Sequence, residues 1–183
     1  MATRTGMIEL HPHSATTPDA IEALLDAAFG ADRHGRTAYK VRAGTAPLEE
    51  LSFVALDDGF LAGSLQSWPV QLAAEDGETL PLAMIGPVAV SPDRQSQGVG
   101  RHMLRVVAQR LDLAGLSAML IGDADYYDPF GFLSGPASGW TLPGPVEPHR
   151  ILLRAIPGSA WPATGTLGPD ALRSREGMPS LQA

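Results

Sequence analysis

The chain has 183 residues, a net charge of −7 and 44% hydrophobic residues, enough for the core of one domain with room for an appendage. No apolar run approaches the roughly 20 residues that a membrane-spanning helix takes, and the acidic balance disfavours general binding to nucleic-acid phosphates. The absence of cysteine excludes disulfides, thiolate nucleophiles and cysteine-based zinc sites. The opening "MATRTGMIELHPH" has no apolar core of a secretory signal, so the reading is cytoplasmic.

In chain order, "MIEL" alternates as a short strand. "TTPDAIEALLDAAFG" predicts a helix with Thr17 as cap, Pro18 at the first position, a buried stripe of Ile21, Leu24, Leu25 and Ala28, and Gly30 as stop. The polar stretch 31–47 has room for one short helix. Residues 51–73 read as two strands around the Asp57-Asp58-Gly59 turn, a hairpin. "PLAMIGPVAV" is nearly all apolar and predicts a central strand. A helix from about Gly98 to Ala114 should bury Val99, Met103, Val106, Val107 and Leu111, ending at Gly115. "SAMLIGD" predicts a buried strand, "ADYYDPFGF" one helical turn, and "HRILLRAI" a late strand. Residues 157–183 hold eight Gly or Pro in 27 and read as an extended tail, with Trp161 as its one anchor. The body, 1–156, is expected to stay soluble and monomeric without it. The order lacks the strict βα alternation of a doubly wound sheet. It predicts a mixed α/β domain with a hairpin-rich middle.

The stretch "VAVSPDRQSQGVGRHMLRVVAQRL" poses a question. Gly98 and Gly100 stand where a helix must begin, although glycine costs roughly 1 kcal/mol in a helix relative to alanine. A helix start offers free N–H groups and the positive end of the dipole, which together attract anions. Removing two side chains lets a phosphate reach those groups. Arg94, Arg101, Arg105 and Arg110 against Asp93 give the segment from Ser91 to Leu111 a local charge of +3, fitting a compact anionic ligand. A Walker loop is excluded because Arg101-His102 replaces its Lys-Ser/Thr. A dinucleotide fingerprint is excluded because Met103 stands at its third glycine.

These residues resemble the signature of the GCN5-related N-acetyltransferase (GNAT) superfamily, Gln/Arg-x-x-Gly-x-Gly/Ala, here Gln95-Ser96-Gln97-Gly98-Val99-Gly100. A second signature is also similar: Tyr127 stands four residues before Gly131-Phe132. The segment "GDADYYDPFGF" resembles the YhbS-like subgroup. The resemblance runs from about residue 7 to 156 and implies a mixed, mostly antiparallel sheet flanked by helices. It implies acetyl-CoA as co-substrate, with Val88, Ala89 and Val90 pairing with its pantetheine arm. Ser96, Gln97, Gly98, Val99, Gly100 and Arg101 would hold its pyrophosphate, with Gln95, which opens the motif, also among the cofactor-binding residues. It further implies an amine acceptor, entering about Phe29 to Gly44, and admits a homodimer.

Transfer needs a neutral amine, a donor to the developing oxyanion and a proton for the departing thiolate. A backbone N–H of Val88–Val90 suits the oxyanion. Tyr127 is the candidate general acid, since a tyrosine, pKa about 10, is protonated at neutral pH, whereas Tyr126 reads as packing. Asp57, Asp58, Glu78, His149 and an ordered water remain open as the base. The asparagine that many relatives place seven residues before the tyrosine is replaced by Leu120, and Asp123 stands at the strand end. His11 and His13 lack an acidic partner at ligand spacing, so no metal site is read; His102 is expected to face solvent. The leading function is acetyl transfer to a primary amine of a small molecule. A protein N-terminus or lysine is the second possibility, and a catalytically silent CoA-binding module the third.

Overall fold

The computed structural model describes residues 7–176. Strand β1 (Ile8–Pro12) leads into helix α1 (Pro18–Phe29). Thr17 caps α1, its hydroxyl accepting from Ala20 N–H at 3.2 Å, and Gly30 ends it at a φ of 88°. A 3-10 turn (Ala31–Gly35) and helix α2 (Thr37–Val41) follow. Strands β2 (Phe53–Asp57) and β3 (Phe60–Ala73) form the expected hairpin, and β4 (Thr79–Val90) returns antiparallel to β3. Helix α3 (Val99–Ala114) ends on Gly115 in the left-handed conformation. Then come β5 (Ala118–Ile121), the short helix α4 (Ala124–Tyr127), β6 (Leu133–Ser134), β7 (Gly139–Thr141), β8 (Ile151–Arg154), β9 (Thr164–Pro169) and helix α5 (Ala171–Glu176). The sheet runs β1-β2-β3-β4-β5-β8-β6, with β9 between β3 and β7. Its pairs are antiparallel except β4–β5 and β7–β9.

Helix α3 packs on one face of this sheet. Val99, Met103, Leu104, Val107 and Leu111 meet Phe53, Leu65, Ile85, Phe132 and Leu152. Val106 is only half-buried, and Leu104, absent from the expected stripe, is fully buried. Helix α1 covers the opposite face through Ile21, Leu24 and Leu25 on Val54 and Ala89. Leu72, Leu82, Met84, Met119, Trp140 and Leu153 form a further core cluster.

A β-bulge in β4 positions the site. Leu65 pairs with Val88 and Ser67 with Ile85, so one residue of β3 faces two of β4, Gly86 and Pro87. Gly86 sits at a φ of 129°, which favours glycine. The extra residue inverts the facing of the strand: Ile85, Val88 and Val90 all lie toward α3, and Ala89 toward α1. Strand β4 pairs with β5 only at Ala83–Ala118 and Met84–Met119. Beyond the bulge the two strands share no pairs, and a gap opens between them.

The segment set apart as a tail contributes a strand to the sheet. Residues Thr166–Pro169 of β9 pair with Val70–Ala73 of β3, on the side that β2 has already left. Leu167 is 1% exposed among Leu72, Trp140 and their neighbours. Trp161 anchors the approach, its ring centroid 5.8 Å from that of Trp140. Residues 177–183 lie outside the described residues. The expectation for truncation after Ile156 therefore reverses. Removing β9 bares a β3 edge and an apolar floor, and such edges aggregate. The truncated chain should elute as aggregate in size exclusion with light scattering, and Leu167→Ala should cost about 3 kcal/mol. A monodisperse, fully stable truncation would show that β9 adds nothing to the core.

Candidate active site

The start of α3 has the open backbone geometry that the sequence led one to expect there. Gly98 takes the left-handed conformation (φ 81°) and caps α3, and Ser96 is left-handed too (φ 64°). A non-glycine residue held there stores strain of the kind that clusters at functional sites. The first N–H of the helical ladder is that of His102, donating to Gly98 O at 2.9 Å. The N–H groups of Val99, Gly100 and Arg101 therefore stand ahead of the ladder. Gly100 is buried, and a Cβ there would lie 2.8 Å from the Tyr126 hydroxyl and 3.5 Å from Val90 Cγ2.

A cavity of about 690 Å³ lies over this helix start. Val88, Ala89, Val90, Gln95, Ser96, Gly98, Val99, Gly100 and Arg101 line it. Gln97 is not among the lining residues; its amide donates to Asp93 O at 3.2 Å. Of the four arginines behind the local +3 charge, Arg94 and Arg101 reach the cavity. Arg94 is held by Asp57, Nε to Oδ2 at 2.6 Å. Arg105 is exposed, and Arg110 instead stacks over Phe53 and donates to Glu50 O. His102 is half-buried rather than fully solvent-facing.

A second cavity, about 820 Å³, lies on the other side of the same gap. Its wall includes Phe29 and residues of the 33–42 segment, the stretch expected to admit the acceptor, together with Pro145, Val146 and Glu147. The two cavities share Phe29, Arg36, Val88, Ile121, Tyr127 and Arg150. Tyr127 thus stands at their junction. Its ring packs on Gly122, where a Cβ would collide with it, and edge-on to Phe132 at 6.4 Å. Burial, reinforced by Tyr126 and Asp123 and opposed by Arg150, pushes its hydroxyl up to about 12. Tyr126, read as packing, is instead exposed beside the cradle, with Arg101 5.7 Å from its ring centroid.

None of Asp57, Asp58, Glu78 or His149 lines either cavity. Asp57 is engaged by Arg94, Asp58 turns the hairpin at a φ of 49°, and His149 pairs with Glu147 at 3.7 Å on an exposed turn. The carboxylate lining the larger cavity is Glu147, and that lining the cavity over the helix start is Asp123, which lies 3.6 Å from Arg150 Nε. Sequence reading missed Glu147, Arg42 and Arg150, which reach the site only through tertiary folding. His11 contacts Glu9 at 3.2 Å, and half-buried His13 bonds Leu65 O at 3.2 Å, with burial lowering its pKa. Among the described residues, no group of three His, Asp or Glu side chains is placed to hold a metal, and no helix is long and apolar enough to cross a membrane.

The sheet order, the parted β4 and β5 and the glycine-cleared start of α3 define the class, the mixed α/β fold of the N-acetyltransferases. Residues 9–134 match the family model described as an acetyltransferase (GNAT) domain, and the chain belongs to that family of acyltransferases. It is similar to a GNAT family acetyltransferase from Brucella melitensis solved with acetyl-CoA, at 26% identity and a TM-score of 0.64, over 91% of this chain and 97% of that one. The fold also resembles that of YhbS, a GNAT family N-acetyltransferase from Escherichia coli solved with CoA, at 24% identity and a TM-score of 0.66, over 94% of each chain. A more distant likeness is the ribosomal-protein-S18-alanine N-acetyltransferase of Escherichia coli, at 19% identity and a TM-score of 0.53, over 85% of this chain and 99% of that one. A search among curated proteins finds no match.

Proposed function

We propose that the protein moves the acetyl group of acetyl-CoA to a primary amine of a small molecule, by direct attack in a ternary complex. The observation that carries this reading is the junction of the two cavities at Val88 and Tyr127. One cavity has the anion-binding helix start of a CoA site. The other, at about 820 Å³, falls within the range of small-molecule sites.

In this reading the pyrophosphate takes the N–H groups of Val99, Gly100 and Arg101, with Ser96, Gly98 and the Arg94 and Arg101 side chains around it. Gln95 borders the same cavity, and Gln97 supports the loop through Asp93. The pantetheine arm lies along the unpaired side of Val88, Ala89 and Val90. The amine nitrogen attacks the thioester carbonyl carbon, and a backbone N–H of this strand steadies the oxyanion. The nitrogen gives up a proton to water as the carbon–sulfur bond breaks, and Tyr127 supplies the thiolate with a hydrogen bond or with a proton that solvent then replaces.

Thermal-shift titration tests the reading. Acetyl-CoA and CoA should raise the melting temperature strongly by mass action, and ATP should not. Thiol release should follow when primary amines are added. Tight binding of acetyl-CoA with no turnover over a broad amine panel would instead favour a silent CoA-binding module. No shift with any of the three would remove the basis of the cradle.

A further inference from the structure

Resting on the transferase reading above, we infer that the accepted amine carries an anionic group, a carboxylate or a phosphate, and that the Arg42 guanidinium in the acceptor-side cavity receives it. Arg42 is only 6% exposed yet lines that cavity. Its Cζ lies 4.0 Å from the ring centroid of Tyr39 and 3.9 Å from that of Trp68. Its Nη1 donates to Gly86 O at 3.3 Å, an oxygen that also accepts from Trp68 Nε1 at 2.9 Å. Among the described residues no carboxylate pairs with it. Arg33, buried just as deeply, is the contrast: it engages Glu22, Asp26 and the Tyr39 hydroxyl. A buried cation is costly unless something supplies the opposite charge. For Arg42 no described carboxylate supplies that charge in direct contact, and a ligand can.

The rest of the cavity wall agrees. Arg36 and Arg150 line it as well, against the single carboxylate of Glu147, whose side chain is 70% exposed. Asp123 lies 3.6 Å from Arg150 Nε, but the lining itself still holds more cations than carboxylates, and a guanidinium fork matches carboxylate or phosphate geometry. The same excess of cations bears on the nucleophile. Neighbouring positive charges disfavour an ammonium ion, so a bound amine loses its proton more readily than in water. That lessens the demand on a dedicated base. Phe29, Met84, Ile85, Val88, Leu120 and Ile121 make the remaining surface apolar. The acceptor class is then a small amine with an apolar body and one anionic group, of which an apolar amino acid is the simplest case.

A plainer role for Arg42 would be to clamp the Gly86 carbonyl at the bulge. Such a clamp would serve every acceptor equally, and that difference is measurable. Full-length protein with saturating acetyl-CoA is assayed for thiol release on matched pairs: leucine and leucinamide, phenylalanine and phenylalaninamide, phosphoethanolamine and ethanolamine. Rates are expressed per neutral amine, and acetyl-CoA affinity is measured by calorimetry on the same samples. We expect kcat/KM to be about tenfold or more higher for the anionic member of at least one pair. The pair that shows the effect distinguishes carboxylate from phosphate. Arg42→Gln should bring that ratio close to one, and Arg42→Lys should keep part of it.

Equal use of charged and uncharged members, with acetyl-CoA bound, overturns the inference and leaves the transferase standing. A ratio unchanged in Arg42→Gln, with both members slowed alike, assigns Arg42 to the clamp and overturns it too. If Arg42→Gln does not fold, the wild-type ratio and Arg42→Lys decide. If acetyl-CoA fails to bind at all, the transferase reading falls and this inference falls with it.

Discussion

Gly100→Val is expected to weaken binding of acetyl-CoA and CoA roughly 100-fold while the unliganded protein keeps its melting temperature within a few degrees. The large effect follows from geometry. A Cβ at residue 100 would already stand 2.8 Å from the Tyr126 hydroxyl, and valine adds two methyl groups to it. Tyr126 must then move toward the space a pyrophosphate would fill, or the methyl groups occupy that space themselves. Losing one or two hydrogen bonds to a charged group costs about 1.5–3 kcal/mol each, which converts to the factor above. The small effect on the fold also has a cause. Residue 100 lies in the first turn of α3, and valine propagates a helix better than glycine does. Gly98→Ala would act differently: a Cβ there has open space, but a φ of 81° strains any side chain. Calorimetry with CoA reads the outcome. An affinity within about threefold of wild type would show that the glycines serve packing and that the cradle lies elsewhere.

The open helix start was legible because everything that shapes it is local. Strand exit, loop, two glycines and helix follow one another in one short stretch, and the helix start needs no partner to point its N–H groups outward. Gly30, Gly115 and the Asp57–Gly59 hairpin were legible for the same reason. Most of the misreadings are non-local. The alternation of "PLAMIGPVAV" implies one facing throughout, yet the Gly86 bulge inverts it halfway, and only the register against β3 reveals the inversion. Strand β9 is built of "TGTLGP", whose glycines and prolines read as tail; what makes it a strand is the vacant side of β3 and the apolar floor under Leu167. Tyr126 and Tyr127 are neighbours whose roles split with the direction of one short helix, α4. Arg42 and Glu147 are separated by most of the chain, and no spacing rule would bring them to one cavity.

Tyr127→Phe is expected to lower kcat about 100-fold while KM for the amine and affinity for acetyl-CoA stay near wild type. The ring packing explains the second half. Phenylalanine keeps the contacts with Gly122 and Phe132, so the cavity junction retains its shape. The first half depends on what a tyrosine raised to about 12 can do. A thiol outside a protein titrates at about 8.5, so full proton transfer from such a tyrosine to an ordinary thiolate runs uphill. Two features reduce the mismatch. The dry wall that raises Tyr127 also disfavours a thiolate beside it, and Arg150 pulls the tyrosine back down. In the proposed transfer the hydroxyl would therefore act on the departing sulfur chiefly as a hydrogen-bond donor. That places the loss at the lower end of the 10²–10⁴ range of general acid catalysis. The pH profile separates this from other assignments. Because the folded protein holds the Tyr127 proton above the usual pKa of about 10, kcat should show no descending limb near pH 10. The same shift implies that stability from this group is complete below pH 10 and is lost as pH rises toward 12. Tyr126→Phe supplies the internal contrast: its hydroxyl faces Gly100, so it should raise the Kd for CoA and leave kcat largely intact. A kcat unchanged in Tyr127→Phe, or lost in Tyr126→Phe instead, would move the proton donor one residue upstream and make Tyr127 a packing residue of the junction.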